Sequence, residues 1–171
     1  IDKKPLRIQK INSGDCLIMI GNTKDELGGS EYSEYIHKFI GGKCPTVDFS
    51  ESKKNMNAVL ELIETELIKS AHDCSKGGLA VAVSELCMTN QIGCTVPLDS
   101  IPGDKLDTDK ILFSESHSRY LVTFEKKNLQ NLEGLLKKHN VSFKTIGEFG
   151  GESIQFTTNS KPVIDLSVDK A

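Results

Sequence analysis

The feature that most constrains the fold of this chain is the stretch AHDCSKGGLAVAVSEL, residues 71–86. A short apolar segment ends at Asp73, Gly77 and Gly78 follow, and an amphipathic run begins directly after them. Glycines let a backbone pass close to a neighbouring group, and the first turn of a helix leaves N–H groups without partners. This 73–78 junction therefore predicts a strand, a tight loop and a helix, with polar groups gathered at the loop.

A second stretch, ELGGSEY, has the same form. It follows the continuous apolar run CLIMIG, which is typical of a buried strand over residues 16–21. Gly28 and Gly29 precede Ser30 and a helical pattern that Gly41 and Gly42 are expected to end. We call residues 28–30 the 28–30 junction.

The rest of the pattern predicts one domain of the α/β (α+β) class, a sandwich of a mixed β-sheet covered by helices. Residues 51–70 predict a helix with Ser50 as its N-cap. The residues on the predicted core face of that helix are Met56, Val59, Leu60, Ile63 and Leu67. A further helix is expected over 77–89, and its core face holds Leu79, Val83, Leu86 and Cys87. Another helix is expected over 127–140, and a turn-rich surface segment over 98–110. The remaining predicted strands are 93–98, 118–125, 141–149, 153–158 and 162–168.

Composition excludes several classes of protein. With 171 residues and 37 % hydrophobic residues, the chain can bury one core and is expected to be one domain or the terminal domain of a longer protein. A formal charge of -3 without a basic stripe argues against nucleic acid. No apolar run approaches the ~20 residues of a spanning helix, and residues 1–15 lack the apolar centre of a signal peptide, so we expect no membrane association and a cytoplasmic location. The first residue, Ile1, suggests a fragment.

The five cysteines are odd in number and include no C-x-x-C pair, which argues against a disulfide framework and a structural zinc site. Cys74 lies inside the 73–78 junction. A role as an apolar filler is favoured over a reactive thiol, because no histidine is placed by the sequence to act as its base.

Phosphate is the ligand that both junctions favour, because helix N-termini bind anions. Asp73 is a candidate ligand for a magnesium ion that bridges to phosphate oxygens, and Ser75 is either an N-cap or a donor to the same anion. The alternative is ordinary helix capping, since Asp, Ser and Gly are common before helices. Neither a G-x-x-x-x-G-K-[ST] nor a G-x-G-x-x-G motif occurs.

A third polar cluster precedes a predicted strand in LFSESHSRYLV, residues 112–122. Five consecutive side chains there can bind a substrate, or they form a turn with a solvated charge pair. The residues are Glu115, Ser116, His117, Ser118 and Arg119.

Taken in order, GDCLIMIGNTKDELGGSEY, AHDCSKGGLAVAVSEL, LFSESHSRYLV and IGEFGG resemble the C-terminal domain of the phosphoribosylformylglycinamidine synthase family. The resemblance covers about Ser13 to about Val168, and it implies that residues 1–171 are the C-terminal domain of a longer synthetase with a core of about 13–168. Similar C-terminal domains occur in aminoimidazole ribonucleotide synthetase and other sister families, which are the alternative.

The resemblance implies part of an ATP-dependent ligase of purine biosynthesis. The full enzyme converts formylglycinamide ribonucleotide, ATP and glutamine-derived ammonia to formylglycinamidine ribonucleotide, ADP and phosphate. The implied cofactors are Mg²⁺ and ATP/ADP, and the implied partners are the N-terminal domains of the same synthetase and its glutaminase and small accessory subunits. The isolated domain is expected to be inactive, because the catalytic histidine of the family lies in domains absent here.

The family's site residues carry over by position. Asp73 matches a magnesium ligand, and Glu115, Ser116 and His117 match a substrate-contacting segment that reads Glu-Ser-Gln in the first copy of this domain. His117 replaces the glutamine, which leaves open a noncatalytic scaffold or a structural nucleotide site. The positions assigned to phosphate or nucleotide are Gly28, Gly29, Ser30, Ser75, Gly77 and Gly78. No catalytic residue is implied.

Overall fold

The computed structural model describes residues 9–171 and contains a seven-stranded mixed sheet of order β2-β4-β1-β5-β3-β6-β7. Strands β3 and β6 are parallel, and the other neighbouring strands pair antiparallel. The strands are β1 (Cys16–Ile20), β2 (Ser70–Asp73), β3 (Cys94–Pro97), β4 (Tyr120–Phe124), β5 (Phe143–Phe149), β6 (Ser153–Thr158) and β7 (Lys161–Ser167). The helices are α1 (Glu31–His37), α2 (Phe49–Glu64), α3 (Gly78–Asn90), α4 (Thr108–Phe113) and α5 (Leu129–Lys138).

Strand β1 lies in the middle of the sheet and is covered on both faces. All five of its residues are buried. Leu17 and Met19 belong to the core cluster under α3, whereas Cys16, Ile18 and Ile20 belong to the cluster under α2 and α5. A strand buried on both faces needs apolar side chains at every position, which explains the unbroken CLIMI run. The predicted sandwich of a mixed sheet between helices is confirmed.

The predicted core face of α3 is also confirmed. Leu79, Val83, Leu86 and Cys87 are all buried in the core on one side of the sheet. An observed strand lies within each predicted strand, namely 93–98, 118–125, 141–149, 153–158 and 162–168, except that β7 begins one residue earlier. The segment that ends at Asp73 is also a strand.

The prediction for α2 was wrong in its start and in part of its core face. The N-cap is Asp48, whose carboxylate accepts from the backbone N–H groups of Ser50 and Glu51, at 2.9 and 3.0 Å. Met56 and Leu60 are 48 % and 38 % exposed. The buried residues of the helix are Asn55, Ala58, Val59 and Leu62. Ile63 and Leu67 are partly buried and pack against the same core, as predicted, although Leu67 lies beyond the end of the helix. Apolar residues occupy two faces of α2, so spacing alone did not indicate which face meets the sheet.

Two smaller elements differ from expectation. Helix α1 ends at His37 with Lys38 in a left-handed conformation, before Gly41 and Gly42. The segment 98–110 holds a turn of 3₁₀ helix at Leu98–Ser100 and the start of α4, which the sequence did not predict.

Among the helices of residues 9–171, none has the length and hydropathy that a membrane-spanning segment requires. The signal-peptide expectation depends partly on residues 1–8, which lie outside the described residues.

Candidate functional site

The 73–78 junction and the third polar cluster meet at one edge of the sheet. Strand β2 ends at Asp73, which pairs in register with Tyr120 at the start of β4. One residue further on, the Cys74 N–H donates to the Arg119 carbonyl at 2.9 Å. A cavity of about 330 Å³ opens there, and its lining residues are Asp73, Cys74, Ser75, Lys76, Glu115, His117, Ser118, Arg119 and Tyr120.

Helix α3 begins very close to the backbone of the third cluster. Gly77 is its N-cap with φ 76°, and Gly78 has φ 65°. A Cβ atom on Gly78 would lie 2.5 Å from the Ser114 carbonyl oxygen and 2.9 Å from that of Leu112. The glycine therefore permits a left-handed backbone and a close approach between two segments of this chain. Ser75 is not the N-cap, because the loop continues for two more residues before the helix begins.

The 28–30 junction is capped by a side chain. Ser30 is the N-cap of α1, and its Oγ accepts from the Ser33 N–H at 3.2 Å and donates to the Leu27 carbonyl at 2.7 Å. The side chain is buried. A Cβ atom on Gly28 would lie 2.1 Å from the Lys43 carbonyl oxygen, whereas one on Gly29 would meet nothing within 4 Å. Ser30 thus performs the ordinary capping role that the sequence left as an alternative.

Several backbone donors in and next to the two junctions have acceptors within the chain. The Glu31 and Gly77 N–H groups both donate to Glu115 Oε1, each at 2.9 Å. The remaining pairs are Gly29 N–H to Gly41 O at 2.8 Å, Ser30 N–H to Leu27 O at 3.2 Å, and Gly78 N–H to Ser75 O at 3.1 Å. The assignment of these glycines and serines to phosphate stays a prediction.

The third cluster divides into buried and exposed side chains. Ser116 is buried, and its Oγ accepts from the Lys24 N–H at 3.0 Å. Glu115 and His117 line the cavity, and His117 is exposed. The structure therefore turns Ser116 towards the protein and leaves His117 facing the cavity. Their predicted role in substrate binding stays a prediction.

Arg119 is buried, although the sequence offered it either as a substrate-binding group or as part of a solvated charge pair. It is 1 % exposed, so the alternative of a solvated charge pair is wrong. Its guanidinium donates to the Ser116 carbonyl at 2.9 Å, to Thr23 Oγ1 at 3.1 Å and to the Ser114 carbonyl. Burial lowers the pKa of Arg119. One sequence signal for the burial of Arg119 was available. Arg119 lies directly before the apolar strand β4, whose residues were expected to be buried.

The residues present offer only part of a magnesium site. Asp73 is exposed at the edge of the cavity. Within residues 9–171, no three His, Cys, Asp or Glu side chains are grouped so that they could hold a metal ion. Mg²⁺ is usually bound through one or two carboxylates and completes its shell with water and phosphate oxygens. Asp73 fits one such position.

Cys74 lies next to Asp73 and is buried in the core. Burial raises the pKa of its thiol to about 11, so the thiolate that reacts as a nucleophile is scarce at neutral pH. This supports the filler role. All five cysteines lie in the described part of the chain, where none forms a disulfide.

Comparison with known proteins shows which family the sequence matches. A family model described as AIR synthase related protein, C-terminal domain, matches residues 12–158. Phosphoribosylformylglycinamidine synthase subunit PurL of Alkaliphilus metalliredigens is 38 % identical over 156 residues, which are 91 % of this chain and 21 % of the relative. The same subunit of Methanocaldococcus jannaschii is 37 % identical over 161 residues, 94 % of this chain and 21 % of the relative. The chain thus spans about a fifth of the length of these curated relatives.

Solved structures share the fold at lower identity. Thermotoga maritima PurL complexed with FGAR matches with a TM-score of 0.85 and 22 % identity, over 96 % of this chain and 29 % of that chain. T. maritima PurL complexed with ATP matches with a TM-score of 0.76 and 22 % identity, over 95 % and 26 %. PurLQS from the same organism matches with a TM-score of 0.77 and 21 % identity, over 94 % and 26 %.

Proposed function

The chain belongs to the family of AIR synthase related protein C-terminal domains, and we propose that it supplies this domain to an ATP-dependent synthetase of purine biosynthesis. The observation that carries the proposal is the 38 % identity to a PurL subunit over 91 % of the chain. The sister families remain less favoured, because the curated relatives reported above are PurL subunits.

The proposed reaction joins ammonia to an amide carbon. ATP phosphorylates the amide oxygen of formylglycinamide ribonucleotide, and ammonia then displaces the phosphate to give formylglycinamidine ribonucleotide, ADP and phosphate. The proposed partners are the remaining domains of the synthetase, the glutaminase that supplies ammonia and a small accessory subunit. The proposed location is the cytoplasm.

Within that enzyme, Asp73 is proposed to supply one carboxylate ligand to Mg²⁺ at the cavity. A bound Mg²⁺ neutralises charge on phosphate oxygens, which assists phosphoryl transfer. The support from this chain is the exposed carboxylate at the end of β2, beside a cavity also lined by Lys76 and His117. Lys76 can contribute positive charge there when its ion pair with Glu31 opens, because an exposed pair of this kind is weak.

A second candidate is a noncatalytic scaffold for the same enzyme. It is favoured by the internal bonding of two predicted substrate ligands: Glu115 Oε1 accepts from Glu31 and Gly77, and Ser116 Oγ accepts from Lys24. These polar atoms stabilise the loops of this chain in the structure. In this role the domain supports neighbouring domains and contributes no ligand to the reacting groups.

The first experiment replaces the matching segment of the Alkaliphilus PurL subunit by this chain and measures ATP- and ammonia-dependent formation of the amidine. The chimera should be active, whereas the subunit with the segment deleted and this chain alone should be inactive. The proposed reaction would be rejected in favour of a sister family if the chimera assembles, makes no amidine and instead turns over a precursor of aminoimidazole ribonucleotide.

A further inference from the structure

Glu115 contacts the 73–78 junction and the residue that follows the 28–30 junction through one carboxylate oxygen. Its Oε1 accepts from the N–H of Glu31, the first residue of α1, and from the N–H of Gly77, the N-cap of α3, both at 2.9 Å. The three residues come from segments that are far apart in the sequence. One side chain therefore joins the starts of two helices.

The contact has the chemistry of anion binding. Backbone N–H groups at a helix start lack partners within the helix, and negative charge is stabilised there. Hydrogen bonds to a charged acceptor are roughly twice as strong as neutral ones. The Glu115 carboxylate thus accepts from the N–H of Gly77, one of the residues that the sequence assigns to phosphate.

The backbone around Glu115 is held on both sides. The side chains of Ser114 and Ser116 are buried and accept from the N–H groups of Glu26 and Lys24. Arg119 donates to the carbonyl oxygens of both serines. Because its neighbours are fixed, the Glu115 carboxylate is held in place by the surrounding structure and does not depend on a ligand.

An ion pair strengthens the same connection at the surface. Lys76 Nζ of the 73–78 junction lies 2.7 Å from Glu31 Oε1 at the start of α1. Lys76 is mostly exposed, so this pair contributes little by itself. It places a cation next to the junctions, which favours a carboxylate at the position of Glu115.

We propose that Glu115 is the resident anion of the two junctions, a positioning residue whose carboxylate joins α1 to α3 in place of an external oxyanion. The proposal holds whether or not the chain acts in the proposed synthetase. It implies that a nucleotide phosphate bound at this edge of the sheet does not use the Glu31 and Gly77 N–H groups, because the Glu115 carboxylate already accepts from both.

The test is chemical rescue of the full chain, with acetate as the probe and chloride as the matched salt. We expect Glu115→Ala to lower the melting temperature by about 5 °C, because two charge-assisted hydrogen bonds are lost. Acetate should restore about half of that loss beyond the effect of chloride. Acetate also stabilises folded proteins more than chloride does without binding to a site. The gain in acetate over chloride should therefore be smaller for wild type than for Glu115→Ala, because the wild-type carboxylate fills the position. The exposed Glu152→Ala is the matched control and should behave as wild type.

Glu115→Gln separates charge from shape. It keeps an oxygen acceptor and fills the same space, so it should lose less stability than Glu115→Ala and should gain no more from acetate than wild type does. A Glu115→Ala protein that is destabilised but gains no more from acetate than from chloride would overturn the proposal. So would a wild-type response to acetate as large as that of the variant.

If Glu115→Ala does not fold, the amide proton resonances of the folded Glu115→Gln protein decide the question. The Glu31 and Gly77 resonances should both move upfield relative to wild type, because a carboxylate acceptor is replaced by a neutral amide. The Gly29 N–H, which donates to Gly41, should stay in place. Unchanged Glu31 and Gly77 resonances would contradict the proposal.

Discussion

The two junctions have the same sequence form, but the structure uses them differently. The 28–30 junction begins a seven-residue helix with no buried residue, and the buried Ser30 side chain caps it. The 73–78 junction begins a thirteen-residue helix that packs in the core, and Gly77 caps it without a side-chain bond. Similar loop chemistry therefore does not fix how deeply the following helix is packed.

The two helices are also held in different ways. Helix α3 is held by its buried apolar face, whereas α1 is held by contacts at its N-terminal end. Those contacts include the bond from the Glu31 N–H to Glu115 and the stacking of Tyr32 on Phe113, with ring centroids 4.7 Å apart. The comparison indicates that α1 depends on Phe113 of α4 and on the Glu115 segment for its position.

The largest expected difference in stability is between alanine substitutions at Gly78 and at Gly29. Gly78→Ala should lower the free energy of unfolding by about 3 kcal/mol, because a left-handed residue gains a Cβ atom that collides with backbone oxygens. Gly29→Ala should cost only about 1 kcal/mol, because its φ is also positive but the space around it is open. Urea unfolding of both variants measures the difference. Equal losses would contradict the claim that the 73–78 junction is the tightly packed one.

A smaller difference is expected between the serines. Ser30→Ala removes the N-cap of α1 and should cost about 1 kcal/mol. Ser75→Ala should change stability by less than about 0.5 kcal/mol, because Ser75 is exposed and lies outside the cap of α3. The same unfolding assay compares the two. A larger loss for Ser75→Ala would show that the wrong residue has been taken as the cap.

The smallest expected effect is the pH dependence of the ion pair between Lys76 and Glu31. The hydrogen bond to Glu31 raises the pKa of Lys76 above its ordinary value of 10.5. The pair therefore contributes its full stabilisation below that value and loses it as the pH rises through the higher pKa of the folded state. The difference in urea midpoint between wild type and Lys76→Gln should be small at neutral pH and should vanish in strong alkali. A difference that grows with pH would have the wrong sign.

The sequence predicted the parts of the fold that depend on local pattern. The apolar run of β1 and the spacing of Leu79 and Val83 were sufficient to predict a two-sided sheet and a packed helix, because burial requires those side chains. The face of α2 was not predictable in the same way. Both Met56 and Val59 fit a helical stripe, and only the position of the sheet decides between them.

The candidate site was predictable in its residues but not in its contacts. The sequence indicated that Asp73 and Glu115 belong to polar clusters, and the structure brings both to one cavity. It gave no sign that Glu115 bonds to two helix starts, because those bonds join segments that are distant in the chain. Long-range contacts of this kind are set by tertiary packing and leave no periodic signal.

We propose that the 73–78 junction takes part in the chemistry of the synthetase. The most direct measurement is the Mg²⁺ dependence of amidine formation by the chimeric subunit carrying Asp73→Asn, with the exposed Asp165→Asn as the control. We expect Asp73→Asn to lose about 100-fold in rate, partly recovered at high Mg²⁺, because a carboxylate ligand is lost. Asp165→Asn should match the unmodified chimera. An Asp73→Asn chimera with an unchanged rate and an unchanged Mg²⁺ dependence would contradict the claim and leave the domain as a scaffold.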